Sequence, residues 1–184
     1  MGRLYVGNYR ESSPFGTRVL VNGESTHHNG IDYVGIDSKM VIAPTSGLIV
    51  TSQIITDRDN LTWEWGNYVK MDDFNGYYLF FCHLSHRTVR AGQVVNKGQQ
   101  IGIEGATGYA FGSHLHFEVR RKVDNVVINP TEYFKVLEEW EKGQVDNLKK
   151  VVQQKTGFDN NTMNYLSQHP YPYDLFNKLV AAME

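Results

Sequence analysis

The chain has 184 residues, 41% of them hydrophobic, enough to enclose a sizeable core; 18 basic against 20 acidic residues leave a net charge of −2 and no bulk electrostatic case for nucleic acid. A single cysteine, Cys82, excludes an internal disulfide and any cysteine-rich structural zinc site. No run approaches about 18 consecutive apolar residues, so no membrane-spanning helix is expected, and Met1–Arg10 lacks the charged-then-apolar pattern of a secretory signal.

Up to Pro130 the pattern is mainly β. Short runs at Ile31–Val34, Met40–Ala43, Leu48–Ile54, Tyr68–Met71, Tyr77–Cys82 and His114–Arg120 alternate with Gly, Asp and Asn turns. The expected architecture is an antiparallel β-sheet domain over residues 1–130, followed by a helical appendage over residues 131–184.

The first chemical signal is His28-Asn29-Gly30-Ile31-Asp32, preceded by His27. A histidine and an aspartate four apart, with Gly30 between them to supply backbone freedom, read as a turn entering a strand. Catalytic zinc takes three ligands from His, Asp or Glu and leaves one position open. The same spacing also suits a surface turn. Further on, Trp63 and Trp65 either line a groove or pack beneath a loop, and Asp72–Gly76 reads as a hairpin connection with Asn75-Gly76 as its turn dipeptide.

The run Tyr78–Cys82 reads as a buried strand, with Cys82 as a small apolar residue. It ends at His83, either delivering it to a cleft or leaving it as a core-edge histidine bonded to a carbonyl. His86 reads as a surface residue. In Gly112–Arg120, alternation puts Leu115, Phe117 and Val119 on one face and His114, His116, Glu118 and Arg120 on the other. The two imidazoles then lie roughly 6–7 Å apart along the strand. That suits one metal ligand plus one proton-transfer group, or two ligands. His28, Asp32 and His116 would make a three-ligand set, with His114 uncoordinated. Taken alone, the strand is equally a half-exposed one with a polar face, and Glu118 either orients a ligand or pairs with Arg120.

After Asn129-Pro130 the composition becomes helical. Thr131 is the expected N-cap, and Tyr133, Leu137, Trp140, Gln144, Leu148 and Val152 trace one face of a long helix that Gly143 could interrupt and Gly157 stops. Asn161 or Thr162 would cap a short helix through Ser167. His169–Tyr173 reads as a stiff turn and Asp174 as the cap of a last segment through Ala182. This part has no metal spacing, so His169 reads as structural. The appendage is expected to pack on the β domain, dock to a phage tail protein, or mediate self-association.

Taken in order, these segments resemble the lysostaphin and LytM-type zinc metalloendopeptidases of peptidoglycan, from about Ser13 to Tyr133. Pro14-Phe15-Gly16-Thr17-Arg18 looks like their leading segment, and His28-Asn29-Gly30-Ile31-Asp32 matches their HxGxD motif. Val41–Val50 and Gly66–Met71 are similar to their following strands. Cys82-His83-Leu84-Ser85, Val94–Gly102, Gly105-Ala106-Thr107-Gly108 and His114-Leu115-His116-Phe117-Glu118 complete the sequence.

The resemblance implies Zn2+ held by His28, Asp32 and His116, with His83 and His114 flanking the attacked water and the scissile carbonyl. It implies bacterial peptidoglycan peptides as substrate. One departure stands out: the subgroup's tyrosine ahead of the first ligand is replaced by the region Val21-Asn22-Gly23, and Tyr33, Tyr78 or Tyr109 are the candidates to substitute. The loop Gly108–Gly112 is also bulkier and more aromatic than the family's usual one. A catalytically silent relative that binds the wall or builds a virion tail is the alternative, and the presence of all five residues favours the enzyme. The lack of a signal pattern favours a phage protein, in the virion or acting at the host wall, over a piece of a longer secreted protein or export by another route.

Overall fold

The computed structural model describes residues 4–19, 23–60, 62–168 and 172–183. Contacts divide the chain into two compact units, Gly2–Tyr133 and Phe134–Glu184.

The first unit is built from short antiparallel strands: β1 (Tyr9–Ser13), β2 (Gly16–Val19), β3 (Ser25–His28), β4 (Gly30–Gly35), β5 (Met40–Ile42), β6 (Gly47–Ile54), β7 (Asn67–Asp72), β8 (Tyr77–Cys82), β9 (His86–Arg87), β10 (Val94–Val95), β11 (Gln100–Ile103), β12 (Leu115–Arg121) and β13 (Val127–Ile128). The main sheet runs β1-β4-β12-β8-β7-β6-β10, with β13 also on β12; β5-β11-β9 form a second sheet and β2-β3 a hairpin. This is the mainly β, antiparallel architecture with C-terminal helices that the sequence pattern predicts.

Alternation decides what each face of the main sheet carries. Ile31, Val69, Met71, Leu79, Phe81, Leu115, Phe117 and Val119 are buried, with Phe81 and Phe117 rings 5.3 Å apart across β8 and β12. Burying each such side chain contributes roughly 1.5–3 kcal/mol. The opposite face holds a smaller cluster of Tyr68, Phe80 and Cys82, against which Ile55, Trp65 and Tyr78 pack. Trp65 therefore takes the packing role, its ring 5.0 Å from Phe80 and 5.1 Å from Tyr68.

The hairpin after β7 is not closed by a two-residue Asn-Gly turn. Phe74 and Gly76 carry the positive φ angles (62° and 102°), while the buried Asp73 carboxylate accepts from the Asn75 and Tyr77 amides and from the Tyr133 hydroxyl. A carboxylate that satisfies the turn amides replaces the tight-turn geometry that the dipeptide predicts.

The second unit consists of helices: α1 (Pro130–Thr156, begun in the first unit), α2 (Asn160–Ser167) and α3 (Pro172–Ala181). Val152, Met163 and Phe176 form its core, with Leu148, Leu166 and Leu179 among the residues packed around them. Three expected caps move. Asn129, not Thr131, accepts the first amide of α1 (Thr131 N–H, 2.9 Å), because its carboxamide reaches two residues on. Asp159 caps α2 through the Thr162 amide at 2.7 Å. Asp174 lies inside α3 rather than at its start. Helix α1 runs unbroken through Gly143 and ends at Gly157 with φ 70°. Trp140, assigned to the apolar face, is 39% exposed. Of the turn expected at His169–Tyr173, residues 169–171 lie outside the described residues, while Pro172 and Tyr173 form the start of α3 instead, since proline is tolerated in the first turn of a helix.

Candidate metal centre

Three neighbouring strands deliver the polar groups. β12 lies between β4 and β8, and the register sets His116 directly opposite Asp32 on one side and Cys82 on the other. His83 follows Cys82 immediately, so its imidazole emerges at the end of the adjacent strand. His28 closes β3, with only Asn29 between it and the start of β4. Residues 28, 32, 83 and 116 therefore converge because strands far apart in sequence pair side by side.

Gly30 makes the approach of β4 to β12 possible for a reason different from backbone freedom. Its φ is not in the left-handed region, but a Cβ there would meet the Phe117 carbonyl at 2.5 Å and His116 Cε1 at 2.8 Å. The glycine is needed for closeness.

Within the site, one oxygen of Asp32, Oδ1, lies 3.0 Å from His28 Nε2 and 3.0 Å from His116 Nδ1, and those two nitrogens are 2.9 Å apart. The other oxygen, Oδ2, accepts from Arg18 Nη2 at 3.1 Å. His28 Nδ1 is 2.7 Å from the Pro14 carbonyl, which can only accept, so Nδ1 carries the proton and Nε2 presents its lone pair to the centre. His116 Nε2 faces Glu118 Oε2 at 3.4 Å, and Glu118 also accepts from Arg120 Nε. Glu118 thus takes both roles considered for it, facing the His116 ring and pairing with Arg120.

The electrostatics follow from burial and close opposite charges. Burial would raise the Asp32 carboxyl, but bonds from His116 and His28 outweigh it and hold the group far below the usual carboxylate range. Burial would lower the His116 imidazole, and Asp32 and Glu118 outweigh that, so its affinity for a proton is raised. Two ring nitrogens and a carboxylate oxygen within 3.0 Å of each other demand a cation between them, a proton or a metal ion. Among the described residues, His28, Asp32 and His116 are the group whose donor atoms could hold a metal, all lying within 4.8 Å of one another. Their 2.9–3.0 Å spacings are a few tenths of an ångström short of the roughly 3.3 Å edge of a tetrahedron with zinc-ligand bonds of about 2.0–2.1 Å. The donor set fits zinc.

The other two expected site residues stand beside this triangle. His83 and His114 rings are 4.7 Å apart, His83 is 5.8 Å from the His116 ring, and His114 Nε2 is 3.7 Å from Asp32 Oδ1. His83 gives its Nδ1–H to the Thr107 carbonyl (2.8 Å) and His114 gives its own to the Gly112 carbonyl (2.8 Å). A neutral ring held this way carries its lone pair on Nε2. Burial, with His114 and His116 nearby, pushes the His83 imidazole down to about 4, so it is neutral at pH 7. His27 and His86 lie outside the cluster: His27 packs edge-on to Phe15 at 5.2 Å, and His86 is exposed in β9.

Of the candidate tyrosines, Tyr33 occupies the opposite face of β4 and packs against Tyr9, at 5.5 Å. Tyr78 pairs with Arg120, two same-face positions beyond His116 or about 13–14 Å along the sheet, and is capped by Lys70 Nζ at 3.8 Å. Neither reaches the triangle. Tyr109 lies in the loop before His114, 5.9 Å edge-on from Trp63 and 5.2 Å from Phe111, so Trp63 stands with the loop aromatics. Arg18 and the carbonyls of Pro14, Thr107 and Gly112 also contribute, and although Pro14, Arg18 and Thr107 fall in segments of the family resemblance, nothing in the sequence assigns any of the four this role. Arg18 has no spacing signal, and the three carbonyls belong to the backbone, to which residue type gives no clue.

Comparison with known proteins adds a family context. A model of peptidase family M23 matches residues 26–130. An uncharacterized metalloprotease of Haemophilus influenzae is 32% identical over 126 residues, 66% of this chain and 24% of that protein. A peptidoglycan DD-endopeptidase of Vibrio cholerae is 35% identical over 111 residues, 59% of this chain and 24% of that protein. The match thus spans about a quarter of the length of these relatives. Among solved structures, the catalytic domain of lysostaphin from Staphylococcus simulans superposes with a TM-score of 0.57 at 27% identity, covering 69% of this chain and 92% of that one. A zinc-containing peptidase from Vibrio cholerae gives 0.55 at 30% identity, covering 65% and 35%.

Proposed function

The chain belongs to peptidase family M23, and on that premise we propose that it is a zinc-dependent endopeptidase that hydrolyses peptide bonds of bacterial peptidoglycan. The observation that carries this reading is the convergence of His28 Nε2, Asp32 Oδ1 and His116 Nδ1 within 3.0 Å, with the His83 and His114 imidazoles alongside. Relatives named peptidoglycan DD-endopeptidases support the D,D cross-link as the first bond to test.

Held by His28, Asp32 and His116, zinc would supply Lewis acidity, acidifying water and polarising a carbonyl. Proton handling falls to this chain's own side chains. His83 and His114 each present an Nε2 lone pair, fixed by the carbonyl bond at Nδ1, and together they accept the proton of the attacking water and return one to the departing amine. A neutral His83 at pH 7 is in the form that accepts. Arg18 draws negative charge from Asp32 Oδ2, which keeps the site electrophilic while the carboxylate stays ionised. By its single negative charge, Asp32 would leave a bound zinc dication only partly neutralised.

The test is digestion of purified peptidoglycan by the zinc-loaded protein, with released fragments identified by mass spectrometry. New amino termini at one bond type, absent with His114→Ala, support the reading. A fully metallated protein that releases nothing from every peptidoglycan chemotype supports instead a silent relative that binds wall peptides.

A further inference from the structure

Glu104 lies outside the group of residues assigned above, yet it is among the most enclosed charges in the molecule, its side chain 0% exposed. Four donors converge on it. Oε2 accepts from the Tyr5 hydroxyl and the Gly35 amide, both at 2.8 Å, and Oε1 accepts from Lys39 Nζ and the Ser113 hydroxyl, both at 2.7 Å. Tyr5, Gly35 and Lys39 belong to the scaffold around β4 and β5. Ser113 does not: it is an exposed residue at the end of the loop that leads into His114.

That loop closes on itself beside Glu104. Gly105 and His114 form an isolated antiparallel bridge, with the His114 amide donating to the Gly105 carbonyl at 3.0 Å. The two ends of the loop are anchored differently. Near its start, Thr107 accepts the Asn67 amide on its hydroxyl and donates that hydroxyl to the Leu84 carbonyl, both at 2.9 Å, independently of Glu104. Near its end, Gly112 supplies the carbonyl that fixes the His114 tautomer, and the neighbouring Ser113 is tied to Glu104. The first anchor serves His83 and the second serves His114.

We infer that Glu104 is a positioning residue for His114: through Ser113 it holds the Gly112 carbonyl where it captures His114 Nδ1–H, so that Nε2 faces the Asp32 side of the site as a proton acceptor. The assignment rests on the peptidase reading for its consequence in turnover, but not for its structural content. A buried carboxylate with four donors is a rigid post, and Ser113 is the short arm by which it reaches a loop end that is otherwise open to solvent. His83, held through Thr107, is an internal control.

The test uses the zinc-loaded full chain and two variants, Glu104→Gln and Ser113→Ala. Glutamine cannot satisfy donors on both of its ends, and alanine removes the arm while leaving the post. Long-range nitrogen–proton NMR of the histidine rings reports tautomers directly, without reference to activity. The expected result is a loss of the single Nδ1–H tautomer at His114 alone, with His83 unchanged and zinc content unchanged. On a cleaved peptidoglycan substrate, kcat falls roughly 10-fold with KM within about twofold, the lower part of the range for orienting partners. Should Glu104→Gln fail to fold, Ser113→Ala decides by the same two readouts. Unaltered His114 tautomer in a folded variant overturns the inference, whether or not kcat changes. If the parent protein cleaves no peptidoglycan, the peptidase reading fails while the tautomer measurement still decides this one.

Discussion

Removal of the metal offers the sharpest check on the triangle of donors. Its three sides of 2.9–3.0 Å bring two lone pairs and a carboxylate oxygen to one point, so the folded protein holds a site that the unfolded chain lacks. A ligand that binds only the folded state, at about 100 times its dissociation constant, stabilises that state by about 2.7 kcal/mol. For a unit the size of Gly2–Tyr133, about 3–5 °C per kcal/mol gives a rise in melting temperature of about 8–13 °C on adding zinc. The His28→Ala variant lacks one vertex. A site weakened a hundredfold retains about 0.4 kcal/mol at the same zinc concentration, or about 1–2 °C. Scanning calorimetry with and without zinc and chelator, paired with elemental analysis, measures both quantities. A parent protein that takes up no zinc, or a His28→Ala protein with the full shift and one zinc per chain, would refute the reasoning.

Four further outcomes are expected. His114→Ala keeps one zinc per chain and loses about 10²- to 10⁴-fold in kcat on peptidoglycan peptides, the range for removal of a proton-transfer group. Glu118→Gln, which weakens the bond that orients His116, lowers zinc affinity by about 10- to 100-fold in competition with a chromogenic chelator. Gly30→Ala places a methyl 2.5 Å from the Phe117 carbonyl and costs about 1–3 kcal/mol in urea unfolding, with weaker zinc binding, since β4 and β12 must part. Burial would raise the Glu104 carboxyl, but the Gly35 amide, Lys39, Ser113 and Tyr5 outweigh it and hold it below the ordinary carboxylate value. Its contribution to stability is therefore complete above about pH 4.3, the unfolded value, and is lost as pH falls from there through the lower folded value. The unfolding free energy of Glu104→Gln, measured between neutral and acid pH, should lose that part of the acid slope; an unchanged slope would contradict it.

Relations between residues close together in the chain are legible in the sequence itself. The i, i+2 alternation from Leu115 to Arg120 fixes which side chains face the core and puts His116 and Glu118 together, because strand geometry leaves two faces only. The His28–Asp32 spacing and the strand ending at His83 are equally local. The helical character after Asn129 is local as well, although its caps are not: Asn129 and Asp159 act through amides two and three residues on, and several polar residues nearby compete for the same part.

Tertiary structure alone decides which distant segments meet. Nothing in the spacing of residues 18, 32 and 104 says that Arg18 will grip Asp32 or that Glu104 will hold Ser113, since both depend on how loops from separate strands fold over the sheet. The tautomers of His28, His83 and His114 are set by the carbonyls of Pro14, Thr107 and Gly112. Backbone carbonyls are the same in every residue, so sequence marks the imidazole but not the atom that aims it. Gly30 shows the same division: the motif marks the glycine, while its reason, a gap too narrow for a methyl group between two paired strands, exists only once β4 lies on β12.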